Sequence, residues 1–167
     1  MKIIINAKPL SKKLFAPYGD VIETNETNSF IINRGTTKRF HDLAEIDFAQ
    51  NDGKPIINLF RSQPRKLPIV ITMMERHLLG SQLFFPIGGL PYLVVVAEAK
   101  NLITPEDLNV FTATGIQGVN YHRGVWHHPL LVLQPNTDFL VIDRGSAQND
   151  LEEVSFLSNK NHWVINF

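Results

Sequence analysis

The sequence predicts an all-β domain, a small barrel or sandwich. Three observations predict it. The apolar runs are short and rich in β-branched and aromatic residues. Turn residues punctuate them at near-regular spacing. No long amphipathic stretch of helical period separates them, which argues against a βαβ arrangement.

From the N-terminus, the apolar run Ile3-Ile4-Ile5 is broken by Asn6, Lys8 and Pro9, too short for the core of a signal peptide. Residues 12–16 read as a helical turn, with Ser11 as its N-cap and Pro17 as its stop. Strands are predicted at 29–33, 56–61, 69–75, 83–85, 92–98, 108–112, 130–134 and 139–143, and a second helix at 43–49. Asp52-Gly53, Gly88-Gly89, Thr114-Gly115, Gly118, Pro135-Asn136 and Arg144-Gly145 supply turns between them. The end of the chain, Trp163-Val164-Ile165-Asn166-Phe167, reads as one more edge strand.

A chain of 167 residues without repeats or a linker-like tract predicts one domain over residues 1–167. Acidic and basic residues balance at 16 each, so charge gives no reason to expect nucleic acid as a partner. The absence of cysteine excludes disulfides, thiolate metal sites and a cysteine nucleophile. The later apolar runs are far too short to cross a membrane as helices, and the expectation is a soluble cytoplasmic protein. No phosphate-binding glycine loop or Gly-x-Ser-x-Gly elbow is present, which disfavours a nucleotide-dependent enzyme or a serine hydrolase.

Chemistry concentrates in Asn120-Tyr121-His122-Arg123-Gly124-Val125-Trp126-His127-His128-Pro129. Three of the six histidines fall in these ten residues. Imidazole titrates near neutral pH and is the commonest metal ligand, so the segment suggests proton transfer, metal binding or both. His127 and His128 are adjacent, and in a strand at most one would face the interior. A second group is Glu75-Arg76-His77 with Gln82. On a strand, Glu75 and His77 point to one face, although for this group taken alone a solvent-facing Glu75 and a His77 bonded to a backbone carbonyl is the more ordinary arrangement. Among the arginines, Arg61 ends an apolar strand and is the best candidate to clamp a small carboxylate.

Two of these patterns resemble the halves of a cupin barrel. Glu75-x-His77, Gln82 and Gly88 or Gly89 stand where the first cupin motif has His-x-His, an acid and a glycine, and Gly124-Val125-Trp126-His127 matches the Gly-x-x-His of the second. The closer resemblance is to the ureidoglycolate lyase family. It is carried by Phe15-x-Pro17-Tyr18-Gly19-Asp20, His41-Asp42-Leu43-Ala44, Glu75 through Pro86, Gly118 through Leu130 and Asp138 through Gly145. The resemblance implies a cupin-like double-stranded β-helix barrel with few short helices. It also implies a homodimer that cleaves (S)-ureidoglycolate to glyoxylate and urea in allantoin breakdown, and a divalent metal, nickel.

For such a reaction His122 and His127 are expected as base and acid, in either order, with His77 as the third imidazole. His77, Gln82 and His127 are the expected metal shell. Arg61 is expected on the carboxylate, Gln82, if no metal binds, on the carboxylate or urea amide, and Tyr121 and Asp143 behind an imidazole. The competing readings are a hydrolase releasing ammonia and carbon dioxide from the same substrate, a non-catalytic small-ligand-binding cupin, and a metal-dependent dioxygenase or isomerase.

Overall fold

The computed structural model describes residues 2–24, 28–156 and 162–167. In chain order it contains strands β1 (Lys2–Asn6) and β2 (Lys8–Pro9), helix α1 (Lys12–Phe15), and strands β3 (Gly19–Ile22), β4 (Ser29–Ile32), β5 (Thr37–Phe40) and β6 (Lys54–Ser62). Then follow β7 (Val70–Ile71), β8 (Met73–His77), β9 (Gln82–Pro86), β10 (Gly89–Ala97), β11 (Asn109–Gly115) and β12 (Gly118–Tyr121). The chain closes with β13 (Trp126–His127), β14 (Leu131–Val132), β15 (Thr137–Gly145), β16 (Leu151–Ser155) and β17 (His162–Asn166). The expected all-β, cupin-like architecture is what forms, with α1 and three short 3-10 turns as its helical content among the described residues.

A seven-stranded sheet runs β16-β8-β13-β10-β11-β2, with β14 also on β10, and a five-stranded sheet runs β3-β12-β9-β15-β6. β10 shows how the layers are held. Tyr92, Val94 and Val96 point into one core together with Phe84, Tyr121, Phe139 and Val141 of the five-stranded sheet. Leu93, Val95 and Ala97 point the other way, into a second core with Ile71, Met74, Trp126 and Ile165. A strand buried on both faces must be apolar at every position, which is why 92–97 shows no alternation. The second core is closed by a small sheet, β1-β17-β7.

Ser11 caps α1 by accepting from Leu14 N at 3.4 Å. The expected strand 69–75 is two strands. β7 pairs with β17, β8 pairs with β16 and β13, and the chain changes sheet at Thr72. Residues 43–49 are not helical. Glu45 N donates to Asp20 and Asp47 N donates to Ser81 Oγ, so this backbone is bonded to side chains instead of to its own turn. The terminal strand is also not an edge: β17 lies between β1 and β7. Part of the tail, 157–161, is outside the described residues.

Candidate active site

The site grows out of the register between β8, β13 and β10. His127 stands opposite Val96 on one side and Glu75 on the other. Directly opposed residues in an antiparallel pair share a face. Val96 belongs to the interior core, so His127 and Glu75 enter the barrel with it. The His127 Nδ1 lies 3.1 Å from Val125 O. A carbonyl can only accept, so the ring proton sits on Nδ1 and Nε2 carries the lone pair. That Nε2 is buried, has no hydrogen-bond partner among the described residues, and lies 3.7 Å from Glu75 Oε1.

Two rings fix the imidazole plane. Tyr121 stacks on His127 with centroids 4.4 Å apart and planes 8° apart, and His77 stacks with centroids at 5.6 Å and 29°. Burial, with the nearby charge of His77 adding to it, pushes the His127 ring down to about 3. Burial pushes Glu75 the other way, above the ordinary carboxylate range. His77 opposes that rise and Glu153 supports it. Burial thus weakens the imidazole as a base and the carboxyl as an acid.

A cavity of about 230 Å³ opens on this pair. Ser62, Glu75, Gln82, His127 and His128 supply its polar wall, and Phe60, Phe84 and Leu130 its apolar one. Among the described residues, none of its lining side chains is a lysine or arginine. Gln82 also lines a neighbouring cavity of about 140 Å³, beside His77, Asp143, Arg144 and Asp150.

The structure brings His127, Gln82 and Tyr121 to one cavity and puts His77 and Asp143 on the adjoining one. His77 Nδ1 is held by Asp150 Oδ1 at 3.3 Å. Asp143 contacts Asn58 Nδ2, not an imidazole. His122 is not with them. β12 ends at Tyr121, and beyond it the exposed His122 pairs through Nε2 with Asp20 Oδ2 at 3.1 Å. It lines a separate hollow with Arg123 and Asp47. Arg61 also lies outside, because Phe60 and Ser62 take the inward positions of β6. Its guanidinium forks onto Asp138 with two contacts of 2.8 Å, in the open.

The family model described as ureidoglycolate lyase matches residues 2–165. The chain belongs to the ureidoglycolate lyase family. A Burkholderia mallei (strain NCTC 10229) protein named ureidoglycolate lyase is 52% identical over 149 residues, 89% of this chain and 87% of the relative. One from Pseudomonas syringae pv. syringae (strain B728a) is 48% identical over 159 residues, 95% and 92% of the two chains. One from Brucella anthropi is 52% identical over 149 residues, 89% and 88%.

Within this ureidoglycolate lyase fold, the donor set expected for a metal is only partly assembled. Gln82 Oε1 and His127 Nε2 are both buried without partners. His77, however, is stacked on His127, and the in-plane lone pairs of stacked rings run side by side instead of converging. Among the described residues no three His, Asp or Glu side chains form a metal-ligating group. The residues present do not fit the expected centre.

Three side chains gain importance over the sequence reading. Glu75 is directed inward by its pairing with His127, which period-two spacing with His77 hinted at without telling inside from outside. His128 is buried along with His127 and lines the same cavity. β13 ends at His127, so strand alternation no longer governs the next residue, whose N–H donates to Val95 O at 3.0 Å. Asp150 emerges as the partner of His77.

Proposed function

We propose that this chain cleaves ureidoglycolate to glyoxylate and urea. The observation that carries the reading is the buried His127 Nε2, without a hydrogen-bond partner among the described residues and beside Glu75 on the wall of a small cavity. Ureidoglycolate is a hemiaminal, with hydroxyl, carboxylate and ureido nitrogen on one carbon. The hydroxyl loses its proton as C–O becomes C=O, the C–N bond breaks with its electron pair going to nitrogen, and that nitrogen takes up a proton. No water is consumed. A paired acid and base on one side of the substrate can do both transfers. Burial disfavours charge on both partners: it leaves the His127 ring neutral with a free lone pair and strengthens the hold of the Glu75 carboxyl on a proton. The hydroxyl proton leaves toward this pair and the ureido nitrogen receives one from it. Tyr121 and His77 hold the ring by stacking.

The substrate's carboxylate calls for a cation. Arg61 is committed to Asp138. Arg65, exposed and three residues beyond the cavity-lining Ser62, is the better placed: its charge reaches buried His128, whose ring is held down at about 4 by burial, against the opposing hydrogen bond to the Pro129 carbonyl, with Arg65 adding a smaller push.

The active enzyme is read as a cytoplasmic homodimer. β6 supports the dimer. It is nine residues long, it lies at the end of the five-stranded sheet, and it leaves Ile57 and Leu59 more than two-thirds exposed. A long apolar edge of this kind is a template for pairing with another chain.

Incubation with ureidoglycolate, assayed for glyoxylate, urea and ammonia, tests the reading. Glyoxylate and urea in equal amounts are expected. Ammonia as the first nitrogen product would replace the lyase with a hydrolase, and binding without product would leave a ligand-binding protein. A parallel arm with chelator, then with added nickel, reads metal dependence.

A further inference from the structure

The cavity beyond Gln82 carries an unusual set of unmatched polar atoms. Among the described residues, four of its lining side chains each keep one buried atom without a hydrogen-bond partner: Gln82 Oε1, Asp143 Oδ1, Asp150 Oδ2 and Arg144 Nη1. Buried polar atoms are normally matched, and leaving one unmatched costs stability. In three of the four residues the rest of the group is tied down. Asp143 Oδ2 accepts from Asn58 Nδ2 at 3.0 Å, and Asp150 Oδ1 meets His77 Nδ1 at 3.3 Å. Arg144 donates through Nε and Nη2 to the Gln50 carbonyl. Tethering of this kind fixes where the remaining atoms stand before any ligand arrives.

The set is three acceptors and one donor. A cation does not suit it, because a guanidinium stands among the acceptors and, among the described residues, no three ligating side chains are grouped to hold a metal. A free carboxylate does not suit it either, since two carboxylates already line the wall. The complement is a small neutral group with several N–H donors and one carbonyl, which describes a ureido group.

We propose that this cavity is the subsite for the ureido end of the substrate. Asp143 and Asp150 accept from its N–H groups, and Arg144 Nη1 donates to its carbonyl. Gln82 lines both cavities, so the hemiaminal carbon sits beside it, within the Glu75–His127 compartment, and the carboxylate points away. The inference rests on the reaction proposed above and names how one end of its substrate is recognised.

The test compares two unreactive probes that differ only at that end. N-carbamoylglycine carries a carboxylate and a ureido group; N-acetylglycine keeps the carboxylate and replaces the terminal amine with a methyl. Binding of each to the full chain is measured by calorimetry, alongside turnover of ureidoglycolate. At least about tenfold tighter binding of N-carbamoylglycine is expected, the scale of one hydrogen bond to a charged group. Asp150→Asn and Asp143→Asn, each checked for folding by circular dichroism, should shrink that preference while leaving N-acetylglycine binding within about threefold. Equal binding of the two probes by the wild-type protein, or a preference that survives in both folded variants, overturns the subsite even if the lyase is active. A preference that collapses in the variants, in a protein that releases no urea, supports the subsite and overturns the lyase.

Discussion

His127 and Glu75 face each other across the β13–β8 pairing, with Nε2 3.7 Å from Oε1 and no other partner for that nitrogen. The neighbouring rings of Tyr121 and His77 leave the imidazole little freedom to turn away.

Loss of either member of the pair should stop turnover while leaving the fold in place. His127→Gln and Glu75→Gln should each lower kcat at least about a hundredfold, the scale of one acid–base group. Glyoxylate and urea release is the readout. A variant within tenfold of wild type would remove that residue from the proton transfer.

The same burial makes stability depend on pH. His127 and His128 are held at about 3 and about 4 in the folded chain, below the ordinary histidine value of 6.5. Between those values the unfolded chain binds protons that the folded chain does not, so stability rises with pH there and is lost as pH falls. Melting temperature should drop from pH 6.5 toward pH 4, and His127→Gln should flatten part of that drop. Glu75 acts in the opposite sense. Its raised pKa favours the folded state at low pH and costs stability as pH climbs past its folded value. Glu75→Gln should therefore melt higher than wild type at pH 7, although inactive.

The two arginines separate cleanly. Arg65→Ala should raise KM for ureidoglycolate by about tenfold or more with kcat little changed, as expected for loss of one charge-assisted contact. Arg61→Ala removes an exposed pair with Asp138 and should leave both constants within about twofold. The reverse pattern would return the clamp to Arg61.

The β6 edge makes a prediction about assembly. A positive charge on a flat apolar edge opposes pairing. Leu59→Lys should convert a dimer into a monomer in light scattering, with the barrel intact by circular dichroism. A dimer unchanged by Leu59→Lys and by Ile57→Lys would place the interface elsewhere.

Strand content was legible in the residues, because alternation and turn chemistry are local. The strand expected at 92–98 forms, as Gly89–Ala97. The break at Thr72 was not legible, since the apolar pattern of 69–75 continues through it and only the change of partner, β17 for β7 and β13 with β16 for β8, divides the run. Residues 43–49 misled for a related reason: their backbone is bonded to Asp20 and Ser81, residues remote in sequence.

By itself the sequence determined an all-β chain, its membership in a family, and a segment dense with imidazoles. Which imidazole enters the barrel was decided only in three dimensions. His122 and His127 are the same chemical group five positions apart, yet one pairs with Asp20 near solvent and the other is sealed beside Glu75. Register sets that difference: pairing with Val96 and Glu75 turns His127 inward, and no property of the segment Tyr121 through His128 contains that partner.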